Sequence, residues 1–363
     1  MMDNDFSGNF RKNLDELIVG AVPQVSHGMS VLVAKGEKVL YKHSVGEIKE
    51  LGFVYTNETV YDLASLTKPT ATAALALKFL ETGKIALEDT LETYGVFSGF
   101  ASIEKLTVKS LLTHTSGFIP HIPLYETGKT RDKYLTAMEQ VCKPEKIYSE
   151  ENYSDLNFIL LGFLLERLSG KTLRELFEEY ISAPLNLRTT GFQPDFDRKD
   201  IAPAEVTDDR GFLWGKVHDE NSYYLGGVAG HAGLFSNLND LHNFYLSYVS
   251  GRIISKTTLK MATTPANEYI GGMFGLGWMI NLPRPNAVSP DFGYARFAGD
   301  YAPFGVYGHT GFTGPSVCID PVSKIMVIIL ANRVYPTRDN LKILRFRRII
   351  HNRIFHDLLN EKL

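Results

Sequence analysis

Strand signals cluster at the two ends of this chain and are scarce between them, and that distribution limits the folds open to it. Met29 to Ala34 and Lys38 to His43 read as two strands joined by a turn at Lys35-Gly36-Glu37. Pro315 to Ile319 and Lys324 to Ala331 read as a second hairpin, turning at Asp320-Pro321. A short amphipathic helix around Phe10 to Val19 precedes the first pair, and a helix from about Arg338 to Asn360 follows the second. From about Thr67 to Asn267 helical periods and Gly/Pro loops dominate. The economical model is α+β: an antiparallel sheet built from both chain ends and flanked by helices, with a mainly helical inserted domain. In domain terms, residues 1–63 and 270–363 form a discontinuous α/β sheet domain and residues 64–269 a mainly helical one, with the active site expected in the cleft between them.

The chain has 363 residues, more than one core usually serves, and its 44% hydrophobic and 22% charged content is a globular balance. A net charge of -3 leaves no basic surplus to neutralise phosphates, so nucleic acid is not expected as a partner and a small molecule fits better. Cys142 and Cys318 are too few for a disulfide framework and show no metal-ligand spacing. Met1 to Phe10 lacks the basic start and apolar run of a secretory signal, and no later stretch offers about 18 apolar residues in a row. The expectation is a cytoplasmic protein, although a signal trimmed away would leave the same sequence. In the last helix Ile343, Phe346, Ile350, Ile354 and Leu358 alternate with Arg345, Arg347, Arg348 and Arg353. Packing on the sheet with a solvated basic face is expected there, rather than membrane binding.

Three short segments carry chemistry. Ala64-Ser65-Leu66-Thr67-Lys68-Pro69 opens a helix running to Leu80, with Gly83 as its stop. Residues three apart share a helix face, so Lys68 can approach the Ser65 hydroxyl at the positive end of the helix dipole and take its proton. The plain alternative is an N-cap serine and a surface lysine, and Ser102-Ile103-Glu104-Lys105 has the same spacing without a long helix behind it. Tyr153-Ser154-Asp155 stands before a helix with apolar Leu156, Ile159, Leu160, Phe163, Leu164 and Leu168 and a stop at Gly170. Tyr153, with its pKa lowered by a neighbouring lysine, can act as general base or acid, while Asp155 reads as the N-cap. Tyr307-Gly308-His309-Thr310-Gly311-Phe312-Thr313-Gly314 crowds small residues around one histidine. That is backbone able to approach a ligand, or an ordinary Gly-rich turn.

Ser-x-x-Lys at a helix start, a Tyr-x-Asn position before a second helix, and Lys/His-Thr-Gly on a strand, in this order, make the chain resemble the penicillin-recognising serine hydrolases. The spacing looks like the class C β-lactamase branch, which also holds D-alanyl-D-alanine peptidases, D-aminopeptidases and carboxylesterases. Ser110 to Gly117 and Gly230 to Ser236 are similar to family segments, and the resemblance spans about residues 28 to 335. It implies Ser65 as nucleophile, Lys68 and Tyr153 as proton-exchanging partners, and the N–H groups of Ser65 and Phe312 as an oxyanion hole. His309, Thr310 and Gly311 would line the acyl site, and His231 is a candidate contact on its far wall, against a structural role. No cofactor and no metal is called for. Asp155 in place of Asn and His309 in place of Lys depart from the family pattern and weaken the case for β-lactam specificity. Asp155 would instead hold the Lys68 ammonium and leave more of the proton-accepting work to Tyr153.

An esterase or D-peptidase acting through an acyl-enzyme is thus expected, with a class C-like β-lactamase as the alternative. Two readings of other kinds stand beside it. One is a metallohydrolase using His218, Asp219, Glu220 and His231, for which no His-x-x-x-His pair speaks. The other is a non-catalytic binding protein on the same fold, against which stands the retention of all three catalytic residue types.

Overall fold

The computed structural model describes residues 2–193, 198–283 and 297–360. Seven strands make one antiparallel sheet: β1 Gly28–Lys35, β2 Lys38–Ile48, β3 Phe53–Val54, β4 Met279–Ile280, β5 Tyr307–Thr310, β6 Ser316–Ile319 and β7 Ile325–Ala331. Their order across the sheet is β3-β2-β1-β7-β6-β5-β4. The two chain ends meet in the β1–β7 ladder, where Met29 lies opposite Ala331 and Lys35 opposite Ile325. Both hairpins expected from the sequence are present, and their strands supply the middle of the sheet.

β1 and β7 are buried almost throughout. Successive side chains of a strand point to opposite faces, so a strand covered on both sides is apolar at nearly every position, and the buried exception in β1, Ser30, is hydrogen-bonded to Tyr61 Oη at 2.9 Å. On one face Met29, Val31 and Val33 of β1 and Val327 and Ile329 of β7 pack with Phe10, Leu14, Ile18, Ile350 and Ile354 of the terminal helices. On the other face Leu32 and Ala34 join Met326, Ile328 and Leu330 against Leu66, Leu75 and Phe158 of the intervening segment. The N-terminal helix, Met2–Ala21, is longer than its apolar stripe suggests. The C-terminal helix starts at Lys342 rather than near Arg338, whose side chain pairs with Glu205 and Glu220. One of its arginines is not solvated as expected: Arg347 is buried and donates to the Gly314 and Pro315 carbonyls. No described helix is long and apolar enough to cross a membrane.

Between the two sets of strands, the segment after Ser65 departs from a continuous α-helix. A 3-10 turn, Ala64–Leu66, leads into a π-helical stretch, Lys68–Ala73, and then the α-helix Ala74–Glu81, beyond which Gly83 takes a positive φ of 69°. Pro69 has no N–H to give, which relaxes the usual i to i-4 ladder in the first turns. The helix Asp155–Ser169 ends as expected on left-handed Gly170 and is buried continuously from Leu156 to Leu165. Against it runs the backbone of Gly230. A methyl group there would stand 1.9 Å from the Phe158 carbonyl oxygen and 3.2 Å from the Gly162 Cα, and the Gly230 carbonyl accepts a hydrogen bond from Thr72 Oγ1 at 2.7 Å.

Gly230→Ala is therefore expected to force the 155–169 helix from its seat, at a cost of about 1 to 3 kcal/mol read as a thermal midpoint lowered by several degrees. Gly20→Ala, where an added methyl meets nothing within 4 Å, serves as the control and should be neutral or slightly stabilising. Equal midpoints for the two variants would show that the close approach does not constrain the fold.

Candidate active site

Ser65 is positioned by what comes just before it. Asp62, fully buried, accepts the Ala64 N–H on Oδ1 at 2.8 Å and the His218 N–H on Oδ2 at 2.7 Å. Ala64 is held at a φ of 46°, a left-handed conformation that a residue with a Cβ adopts at a cost of about 1 to 3 kcal/mol and that clusters at functional sites. The end of β5 is pinned to the same backbone. A Cβ on Gly311 would lie 2.4 Å from the Leu63 carbonyl oxygen, and Thr313 Oγ1 donates to the Asp62 carbonyl at 2.8 Å. Only glycine lets the two segments come this close.

Lys68 has no exposed surface. Its Nζ lies 3.0 Å from Ser65 Oγ, 2.8 Å from Tyr153 Oη and 2.7 Å from Asp155 Oδ1. An ammonium has three protons to donate, and these three oxygens take them. Burial alone would raise the Asp155 pKa, but the Lys68 charge, with His121 behind it, overrides this and holds the carboxyl well below the usual carboxylate range. Tyr153 moves the other way: burial, then the Asp155 charge, push its hydroxyl well above the ordinary phenol value, with the Ser65 hydrogen bond offsetting this only in part. At neutral pH the phenol keeps its proton, in place of the lowered pKa expected beside a lysine.

The loop carrying Tyr153 is tied down by Glu151, whose carboxylate accepts the N–H groups of Met273 and Phe274 and the Asn267 amide. The Tyr153 ring packs 4.6 Å from His114 and 5.9 Å from Phe274. His114 accepts the Ser154 N–H on Nδ1, and burial drives its pKa well below the usual imidazole value, so it is a neutral support. Ser154, not Asp155, caps the helix, its Oγ taking the Leu156 N–H. Asp155 is the first helical residue, which leaves its side chain free to turn back to Lys68. The competing Ser102 and Lys105 do not converge on any such centre: the Ser102 N–H is held by Glu139, and Lys105 is exposed.

A cleft of about 460 Å³ opens onto Ser65, Tyr153, Asp155, Thr310, Gly311 and Phe312. Two of the expected lining residues are not on its wall. His309 is completely buried, its Nδ1–H donates to the Thr310 carbonyl at 2.8 Å, and burial, followed by the Lys68 charge, lowers its pKa to about 3. His231 is likewise buried, bonded through Nε2 to Asp219 Oδ1 at 2.7 Å. Phe312 is half exposed, its ring stacked on His218 at 5.5 Å and the Arg333 guanidinium 4.4 Å from its ring centroid. The cleft also takes in Glu220, named from the sequence only as a metal ligand, and His121, Arg338 and Leu344, which the sequence did not single out for a site. They come from segments too far apart for any local pattern to link them.

Of the four residues of a metal site read from the sequence, Asp219 and His231 pair with each other, while His218 turns to Glu205 and Glu220 to Arg210 and Arg338. Among the described residues Asp155, Asp219 and His231 do bring ligand atoms within 4.8 Å of one another. Of these, Asp155 is already paired with the Lys68 ammonium, and Asp219 with His231.

Comparison with known proteins agrees with the fold. Residues 14–352 match the family model described as Beta-lactamase. A protein of Escherichia coli O157:H7 named "Putative D-alanyl-D-alanine carboxypeptidase" is 34% identical, covering 87% of this chain and 80% of its own length. Among solved structures, "EstCE1, a hydrolase with promiscuous acyltransferase activity" superposes with a TM-score of 0.76 at 21% identity, covering 98% of this chain and 100% of that one. A D-stereospecific amidohydrolase from Streptomyces sp. gives a TM-score of 0.64 at 23% identity, covering 89% and 94%.

The buried neutral histidines predict how stability varies with pH. His309, and His351 with a pKa lowered to about 4 by burial, stay unprotonated where the unfolded chain takes up protons. Below the unfolded value of about 6.5 the unfolded state binds more protons, so stability falls as pH drops from 7 to 5, by up to about 1.4 kcal/mol per pH unit for each such group. His121, raised by its Asp155 contact, contributes with the opposite sign. Urea unfolding at pH 7 and pH 5 should show the loss, and His351→Asn, away from the cleft, should lessen it. An unchanged slope in that variant would mean that His351 is protonated in the folded protein.

Proposed function

The chain belongs to the beta-lactamase family and is a serine hydrolase, and we propose that it forms a covalent acyl-enzyme on Ser65 and cleaves small-molecule esters or amides in preference to β-lactams. The observation that carries this reading is the convergence of Ser65 Oγ, Tyr153 Oη and Asp155 Oδ1 on Lys68 Nζ. The resting ammonium donates to all three. In its amine form Lys68 keeps two donors and turns a lone pair on Oγ, so that the serine proton passes to Nζ as Oγ attacks the acyl carbon. The N–H groups of Ser65 and Phe312 are the proposed donors to the resulting oxyanion. Tyr153, which holds its proton at neutral pH, is the acid that protonates the leaving oxygen or nitrogen and is recharged from Lys68.

The relatives point to acyl bonds of this kind, by names that speak of a D-alanyl-D-alanine carboxypeptidase, a D-stereospecific amidohydrolase and a hydrolase with acyltransferase activity. Asp155 supports the leaning toward simple substrates. An ionised carboxylate accepts hydrogen bonds and donates none, so it offers nothing to the acylamide carbonyl of a β-lactam or peptide, whereas a simple ester has no such need.

Ser65→Ala is expected to abolish turnover of a p-nitrophenyl ester and the covalent adduct seen by intact-protein mass spectrometry, with folding changed by about 1 kcal/mol at most. An adduct forming on that variant at the wild-type rate would move the nucleophile elsewhere. Wild type should hydrolyse short-chain aryl esters better than nitrocefin, and Asp155→Asn should shift the ratio of kcat/KM by about 10-fold toward the β-lactam, the scale of one good hydrogen bond. If the ratio stays put, Asp155 has no part in specificity.

A further inference from the structure

Deacylation poses a question that the acylation machinery leaves open: which group takes the proton of the hydrolytic water. Lys68 is shut away from the cleft with three oxygens around it. Tyr153 keeps its proton. Asp155 and Asp219 are held below the usual carboxylate range and are poor bases, and Glu220 is bonded to Arg210 and Arg338. Of the histidines near the site, His114, His231 and His309 are buried, and His218 is buried with Nε2 on Glu205. His121 is different. It lies on the wall of the same cleft as Ser65, its side chain is 45% exposed, and its Nδ1 faces Asp155 Oδ2 at 3.5 Å.

We propose that His121 is the general base of deacylation, oriented by the outer oxygen of the same carboxylate whose inner oxygen holds Lys68. This rests on the acyl-enzyme reading above. With Nδ1–H directed to Asp155, the lone pair of Nε2 is left for a water in the cleft, the arrangement by which a carboxylate fixes the tautomer of a catalytic imidazole. The water oxygen attacks the acyl carbon of the Ser65 ester while one of its protons passes to His121 Nε2. The tetrahedral intermediate then collapses, the bond from the acyl carbon to Ser65 Oγ breaks, and Oγ takes the proton that His121 accepted from the water. The acid product leaves, with His121 again neutral. Asp155 in place of an amide is what makes this possible, since a carboxylate can serve an ammonium on one side and an imidazole on the other.

The groups facing His121 are Asp155, Asp219 and Glu220, all acidic, and the Asp155 contact, offset in part by burial, raises the His121 pKa above the usual imidazole value. A base must be unprotonated, so turnover should fall as pH drops through that raised value, with an acid limb above about 6.5. The test treats wild type, His121→Gln and His121→Ala with p-nitrophenyl acetate, following the initial release of p-nitrophenol, the steady-state rate and the adduct mass. Both variants should acylate within about threefold of wild type, deacylate about 100-fold more slowly so that the adduct accumulates on Ser65, and lose the acid limb. Adducts of equal lifetime in all three proteins, or an acylation rate that falls along with deacylation, overturn the role of His121 alone. An adduct absent from all three overturns the acyl-enzyme reading and this inference with it.

Discussion

Taking the Lys68 ammonium out of water costs roughly several kcal/mol unless its charge is met and its protons are accepted, and the oxygens that do this come from separate segments of the chain. Ser65 lies one turn before Lys68, whereas Tyr153 and Asp155 belong to a different loop and helix. Much of the local structure can be read as the means of bringing those oxygens to one nitrogen. Asp62 fixes left-handed Ala64 and so aims Ser65, Glu151 ties the Tyr153 loop to residues 267–274, and Ser154 takes over the capping of the helix so that Asp155 can turn inward. Loss of any one anchor would leave a buried charge short of a partner.

The sheet holds these segments at a distance that side chains can span. Its central strands come from opposite ends of the chain and are covered on both faces, by the terminal helices on one side and by the helical segment on the other. β5 then runs out of that sheet to pass directly over the Leu63 carbonyl, where Gly311 allows contact. In this way one wall of the cleft is a sheet edge and the other is a helix start, with the serine between them.

Electrostatics divides the cleft. On one side Asp155 serves Lys68 and His121, and Asp219 serves His231; on the other Arg338 bridges Glu205 and Glu220, close to the ring of Phe312. The substitution of Asp for the usual Asn thus acts beyond a lost amide donor. It adds a charge that draws in two cations or potential cations and couples the two sides of the proton chemistry.

The sequence by itself determined the sheet and the main motifs. The turns at Lys35-Gly36-Glu37 and Asp320-Pro321 marked the two hairpins, and Gly170 and the apolar run before it marked the second helix. Ser65, Lys68 and Tyr153 were legible as a set, because their order along the chain is itself a pattern. Tertiary structure decided the rest. Ser65-x-x-Lys68 and Ser102-x-x-Lys105 are alike as strings, and what separates them is that Lys68 is buried against oxygens from residues 153 and 155 while Lys105 faces solvent. The π-helical turn after Lys68, the burial of His309, and the roles of Glu151, His121 and Arg338 depend on contacts between residues distant in the chain. Periodicity and spacing report on neighbours along the backbone, whereas burial and charge pairing arise from which distant groups share the same few ångströms.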